Sequence, residues 1–476
     1  MKTLKYIVLL LILSVPKSVA VAQTETLADY LEIAARNNRG LKADYLDYQA
    51  SLQKIPQAGA IPDPQLDMGY YLKPMDIIDG SRVADFTLMQ MFPWFGTRKA
   101  AQTEAGHMAK MAFEKFRESR DNLYLNVYTQ WFILGSLQQK LLNNRESRKL
   151  LEQLEVLSIR KFSSPSASTS ASSLYSPSTP SAAASSGNSG MAGMGGMNGS
   201  AQSANAVPAS SAGGNMQGMN SSSPGMSDVL RVQLEIAELD NAMESVQSAI
   251  KAEKAKFNTL LNRPLEYEVH IPDSLEKIPF VLDIPSAMEQ LSAQNPMLGM
   301  INEESLAYKA KAKMDEKMGL PMLGVGLQYS LIKKRMDMGI PVTDMNGMDM
   351  LMPMVSITIP VFRNKYKAQL KESEYRRQAS REKYEDTYNM LEAELVRIKH
   401  LLDDASRQIS LSEKQTGLAL TTYNLVVQEF VTGKSDLSNV IQVQRQLLDY
   451  RLKRAEAVAT YNTMVASAQR LISFNN

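Results

Sequence analysis

The sequence predicts a membrane protein of the α+β class. Very long coiled-coil helices would carry four β-strands per chain, and three chains would close a trimeric, twelve-stranded outer-membrane β-barrel. Three observations lead there. Two stretches without proline, Thr97 to about Phe162 and Lys365 to about Thr432, would each form a helix roughly 100 Å long at the α-helical rise. Short segments alternate strictly between apolar and small or polar residues, as half-buried strands do. The whole pattern occurs twice along the chain.

The chain opens with Lys2 and Lys5 before the apolar run Tyr6 to Leu13, followed by "SVAVAQ" with Ala20 and Ala22 at small-residue positions. This reads as a secretory signal peptide, 1–22, cut before Gln23. The apolar run falls short of the ~20 residues that a spanning helix needs. No later stretch is apolar enough for one, so an exported chain would cross a membrane by strands.

Residues 23–62 read as the helix of a first repeat. The first hairpin is placed at 63–95. In "QLDMGYYL", Leu66, Met68, Tyr70 and Leu72 face away from Asp67, Gly69 and Tyr71, and "ADFTL" (Ala84 to Leu88) is a weaker partner. A long helix follows over 96–162. Residues 163–226 are rich in Ser, Gly, Ala and Met, cannot bury enough apolar surface to fold, and are expected to be disordered. A helix over 227–263 ends before Pro264, because proline biases the preceding residue away from helix. The linker 264–283 is read as loop with one short strand.

The second repeat begins with a helix over 284–318. Its hairpin, 319–362, contains "LGVGLQYSL", with Leu323, Val325, Leu327, Tyr329 and Leu331 on one face, and "VSITI" (Val355 to Ile359). The helix over 363–432 shows its period plainly: Tyr384, Tyr388, Leu391, Leu395, Ile398, Leu402, Ala405 and Ile409 recur in steps of four and three, the seam of a coiled coil. Residues 433–476 supply the last helix and the C-terminus. Alternating strands in an exported chain, apolar side outward, fit an outer-membrane barrel. About 8 strands only fill their own interior, so three copies of four strands are the better count for a hollow barrel.

The duplication is explicit. Asn38 aligns with Asn295 and Pro64 with Pro321 at one spacing. "FPWFGTRKA" (from Phe92) echoes "IPVFRNKYKA" (from Ile359), and "SDVLRVQ" (from Ser227) echoes "SNVIQVQ" (from Ser438). These features, in this order over nearly the whole mature chain, resemble the TolC-like outer-membrane efflux factors. The resemblance also rests on the tips "GMSDVLRVQ" and "GKSDLSNVIQVQ". It implies a trimeric barrel on an α-helical coiled-coil periplasmic tunnel in the bacterial outer membrane. It also implies a periplasmic adaptor (membrane fusion) protein and an inner-membrane transporter as partners. Many metal-efflux members carry a lipid-modified cysteine at the mature N-terminus, and this sequence contains no cysteine. Members also often have aspartates inside the second tip that form a cation-binding constriction. Amide side chains stand there instead: the corresponding positions are Asn439 and Gln442, with Asp436 one turn earlier.

The methionines ask for an explanation, with 29 of them against no cysteine. Met191, Met194, Met197, Met216, Met219 and Met226 punctuate the Ser/Gly insertion at the periplasmic tip. Met336, Met338, Met345, Met348 and Met350 lie between the strands of the second hairpin, among Asp337, Asp344 and Asp349, in what reads as an extracellular loop. Met352 and Met354 are read as strand residues. Thioether sulfur is neutral, polarizable and selective for Cu(I) or Ag(I). The competing reading is that methionine is adaptable apolar filler. Trp94, Phe92 and Phe95 read as an aromatic belt at the membrane edge.

Several classes are excluded. Net charge is only +2 with both signs interleaved, which gives no case for nucleic acid. Without cysteine there is no thiolate nucleophile or zinc–thiolate site. His107, His270 and His400 form no ligand-spaced motif, and His107 with Met108 reads as a surface or seam position. Paired acids, nucleophile constellations and phosphate-binding glycine loops are lacking, so no enzyme and no cofactor is expected. The reading is a passive exit duct for Cu(I), Ag(I) or other heavy-metal cations. The alternatives are the same duct for drugs or organic solutes, and a coiled-coil surface protein without a transport role.

Overall fold

A computed structural model describes residues 26–163, 226–334 and 344–474. The expected signal peptide, nearly all of the Ser/Gly/Met insertion and part of the second hairpin loop lie outside these residues. Twelve elements follow in order: α1 (Leu27–Asn37), α2 (Arg39–Ala58), β1 (Gln65–Ile77), β2 (Gly80–Phe92), α3 (Thr97–Ser163), α4 (Met226–Leu260), α5 (Ile284–Gln294), α6 (Pro296–Met318), β3 (Met322–Lys333), β4 (Met350–Thr358), α7 (Arg363–Val431) and α8 (Leu437–Leu471).

The strands form one antiparallel sheet in the order β1-β2-β3-β4. Each strand runs on into a helix, and the helices pack in the same sequence: α2 against α3, α3 against α6, α6 against α7. The long helices α3 and α7 run from the sheet to the far tip. In the half nearer the tip, α4 packs on α3, and α8 packs on both α7 and α3. The heptad seam is buried as its spacing requires: Leu391, Leu395, Ile398, Leu402, Ala405 and Ile409 join Val458, Tyr461 and Val465 of α8 in one core.

Short helices become full-length rods through two asparagines. The Asn38 side chain accepts a hydrogen bond from Leu41 N–H at the start of α2 (3.0 Å) and donates to the Leu260 carbonyl at the end of α4 (3.2 Å). Asn295 accepts from Met297 and Leu298 N–H at the start of α6 (3.0 and 3.3 Å) and donates to the Leu471 carbonyl at the end of α8 (2.8 Å). Each amide thus satisfies orphan groups of two helix ends at once. The helices meet C-terminus to N-terminus, so their dipoles align head to tail. Left-handed backbone at Asn262 (φ 52°) and Ser473 (φ 59°) turns the chain away just past both junctions.

The structure corrects four sequence readings. The helix of each repeat's start is broken, α1 from α2 and α5 from α6, because Asn38 and Asn295 hold extended backbone at the junction (ψ 122° in both). The linker 264–283 contains no strand. Side-chain amides hold it instead, with Asn258 donating to the Leu265 and Tyr267 carbonyls and Asn462 to the Glu276 carbonyl. The weak strands are longer than expected: β2 extends over Gly80–Phe92, and β4 starts at Met350, so Met350 is strand rather than loop. Met226 is the first residue of α4 rather than the end of the insertion.

The clasp makes a prediction. Asn295→Ala strands two N–H groups and one carbonyl in a buried junction, a loss of about 1–3 kcal/mol. The temperature at which the detergent-resistant oligomer dissociates should fall. Asn38→Ala should lower it less, since that junction is half exposed.

Candidate functional site: the barrel wall and the helical tip

Strand alternation gives the sheet two chemically distinct faces. On one, the rows Leu66–Leu88–Leu327–Pro353 and Met68–Phe86–Tyr329–Leu351 run across all four strands. This face is bare, with Leu72 92% exposed and Val355 76%. An exposed apolar band of this size marks a lipid contact. The strands hold 13, 13, 12 and 9 residues, enough for the ~9–11 residues with which a tilted strand crosses a bilayer. No helix among the described residues is long and apolar enough to do so.

In a barrel closed with the apolar face outward, the opposite face would line the lumen. Its rows are Asp85–Ser330–Met350, Thr87–Gln328–Met352, Met89–Gly326–Met354 and Met91–Gly324–Ser356. On β3 these positions are the small or polar Gly324, Gly326, Gln328 and Ser330. Asp85 is fully engaged: it pairs with Arg82 (2.9 Å) and accepts from Ser330 Oγ (2.7 Å) and Tyr71 OH (2.8 Å). Its carboxylate is therefore bound within the wall.

Where strands pass into helices, exposed aromatics collect. Phe92, Trp94 and Phe95 border an open cavity of about 690 Å³ with Arg98 and Lys99. Gly96 adopts φ +83° to turn the chain into α3, and Lys317 donates to the Phe95 carbonyl (3.3 Å). Aromatic rings above and lysines below match the composition of a membrane–water boundary.

At the far end, four helix termini share a core of Leu151, Leu154, Val232, Tyr423, Phe430, Leu437, Val440 and Ile441. Polar ties cross it. Lys161 donates to the Phe430 carbonyl (2.8 Å) while its ammonium sits 4.1 Å from the ring centre. Arg231 of α4 donates to Ser438 Oγ of α8 (2.5 Å), and Arg445 of α8 donates to Glu235 of α4 (2.8 Å from Nε). The Arg445–Glu235 contact holds the arginine above its ordinary pKa. Glu235 is only 9% exposed while the Arg445 side chain is 58% exposed, so removing the arginine would leave a buried carboxylate without its partner.

Asp436, Asn439 and Gln442 occupy one exposed face of α8, on the side away from Leu437, Val440 and Ile441. Asp436 starts the helix without a side-chain capping bond, and Asn439 donates to Ser435 Oγ (3.3 Å). The sequence reading missed a second acid here. Asp228, in the first turn of α4, interacts with Asp436. The repeat alignment held the signal, because "SDV" in the first tip stands where "SNV" stands in the second, making Asp228 the counterpart of Asn439.

The methionine candidates separate. Met345 and Met348 lie in a turn before β4, 59% and 58% exposed, with Met348 N–H donating to the Met345 carbonyl (3.0 Å). Met350 enters the lumen face of β4, and Met226 is exposed at the start of α4. Met191, Met194, Met197, Met216, Met219, Met336 and Met338 lie outside the described residues. His107 hydrogen-bonds Glu303 across the α3–α6 seam (2.6 Å). Among the described residues no three His, Asp or Glu side chains gather to hold an ion.

Residues 287–472, most of the second repeat, match the family of outer membrane efflux proteins. No curated protein matches the chain by sequence. Among solved structures, the outer-membrane channel OprN superposes with a TM-score of 0.66 at 12% identity, covering 94% of this chain and 90% of that one. VceC of Vibrio cholerae gives 0.66 at 12% identity over 94% and 96%, and CusC gives 0.66 at 15% over 94% and 92%. The exposed apolar band of the sheet agrees with the fold of these neighbours and with the family match over the second repeat. The chain therefore has the fold of the outer-membrane efflux channels, and most of its second repeat matches their family.

The tip geometry predicts a pH response. Burial pushes the Asp228 carboxyl above its ordinary 3.8 against the opposing pull of Arg231 and Lys161, and Asp436 adds to the rise. In an opened tip this group is hydrated and returns to its ordinary value. The packed tip described here therefore binds the proton more tightly than an opened one would. Closure gains as pH falls through the raised value and is lost as pH rises through it. Conductance of the channel in planar bilayers should drop on acidification, and Asp228→Asn should flatten that dependence.

Proposed function

We propose that this chain forms the exit duct of a tripartite efflux system for soft monovalent cations, Cu(I) or Ag(I). The observation that carries the reading is the placement of methionine. In a packed core the residue is a gap filler. Here Met345 and Met348 stand exposed in the loop at the outer mouth, and Met226 stands exposed at the tip, where there is nothing to fill. Mobile thioethers at the two ends of a duct would hold a soft ion weakly and release it. They need no deprotonation, unlike thiols.

The adaptor protein would dock at the tip and spread it. The ties Arg231–Ser438 and Arg445–Glu235 join α4 to α8, so their exchange for adaptor contacts would let the helix pairs part like an iris. Energy would come from the inner-membrane transporter, because nothing in the sequence binds nucleotide. Asp436 and Asp228 would give each chain two acids near the constriction, a favourable field for a passing cation.

Survival of a deletion strain on graded copper and silver tests the cargo, with dyes and detergents as controls. Wild type, Met→Ser across 191–226 and Met→Ser across 336–350 would be compared as complements. Metal sensitivity of the deletion, and failure of a Met-free version to rescue it at normal oligomer levels, is the expected result. Equal rescue by all versions, or a change in dye tolerance alone, would leave a duct for organic solutes.

A further inference from the structure

The lumen wall holds a second set of methionines, which the loop and insertion patterns do not contain. Met89 and Met91 lie on β2 with one residue between them, so both project from the lumen face. Across the sheet Met89 is level with Gly326 and Met354, and Met91 with Gly324 and Ser356. The strand between them is therefore bare at both levels. A β-carbon placed on residue 324 would sit 2.6 Å from Met91 Sδ and 3.3 Å from Met89 Sδ, and against the Ser356 hydroxyl. Ser356 Oγ, reaching over from β4, lies 3.6 Å from both sulfurs. Two thioethers and one hydroxyl from two strands thus converge over a backbone without side chains.

Packing alone accounts for part of this, since glycines on a strand leave room that a long side chain covers. Leucine or isoleucine would cover it equally well on a strand. Sulfur adds a soft donor, and convergence of two sulfurs on one point gives that donor a geometry. All three groups are neutral, which suits a monovalent soft ion and offers little to a hard divalent one.

We infer that Met89 and Met91, seated over Gly324 and Gly326, form a binding site for Cu(I) or Ag(I) on the lumen wall of the barrel. The inference rests on the soft-cation reading above. Met354, Met352 and Met350 extend the site. They occupy alternate positions of β4 on the same face and climb toward the outer mouth, in steps of about 6.6 Å. Beyond them stand Met348 and Met345. The resulting row would pass an ion from the tunnel end of the barrel to the outside through sites that are each weak enough to leave.

The test uses the full-length channel in detergent and Ag(I) alone as probe, in chloride-free buffer. Equilibrium dialysis gives affinity, and silver-edge X-ray absorption gives the donor atoms. The starting protein carries Met→Ser across 191–226 and at positions 336, 338, 345 and 348, so that wall methionines dominate. It should bind Ag(I) with sulfur in its coordination shell. Met89→Leu with Met91→Leu keeps the apolar volume and should weaken binding by about tenfold or more, on the scale seen when the surroundings of a metal site are altered. Gly324→Ala keeps every methionine but fills the cradle, and should weaken binding in the same direction, with heat-resistant oligomer confirming assembly. Unchanged affinity in the double leucine variant, or no sulfur-ligated silver in the starting protein, overturns the site. Strain survival is read separately: sulfur-bound silver lost in the leucine variant, without metal sensitivity of the deletion strain, keeps the site and refutes the cargo.

Discussion

Everything in this molecule answers to one constraint: an open four-stranded sheet cannot stand in a membrane. The outer edges of β1 and β4 present unpaired N–H and C=O groups along the sheet, and hydrocarbon offers them no partner. Only closure removes the edges. Prolines in the sheet fall where this constraint is weakest, Pro74 on β1 and Pro353 on β4, and none on the central strands. Three copies give twelve strands and a lumen. Because each strand runs on into one helix, closing the barrel also sets the number of helices in the tunnel wall beneath it.

That wall must hold its section over the length of α3 and α7, which hold 67 and 69 residues. Neither repeat supplies a second helix of that length. The Asn38 and Asn295 clasps resolve the mismatch by stacking α4 on α2 and α8 on α6. The same chemistry at equivalent points of the two repeats is the structural residue of the duplication.

Much of this was legible in the residues. Strict alternation named the lipid face of β1 and β3, because a residue every second position reads directly as a side of the sheet. The heptad of α7 named its core, because a long seam repeats often enough to be unambiguous. The breaks at Asn38 and Asn295 were passed over although Pro296 biases Asn295 away from helix as Pro264 does Arg263; the partners that make them clasps, Leu260 and Leu471, are remote in sequence. Met350 was left in the loop before β4 because "MLMPM" carries methionine where strands usually carry β-branched residues. Met89 and Met91 were passed over because the reading ended their strand at Leu88, and only the bare β3 glycines reveal that their sulfurs meet. Asp228 was visible in the repeat alignment but acquires meaning only once α4 and α8 stand side by side.

The central claim, closure of this sheet by copies of itself, is tested most directly at its edges. The sequence has no cysteine, so introduced thiols report without background. Leu66→Cys on β1 would be combined in turn with Pro353→Cys, Val355→Cys and Ile357→Cys on the same outward face of β4, and membranes treated with a short thiol cross-linker. The account predicts that one pairing yields a covalent ladder ending at three chains, consuming the monomer. A ladder that stops at two or runs past three, or no product beyond monomer in any pairing, would contradict it.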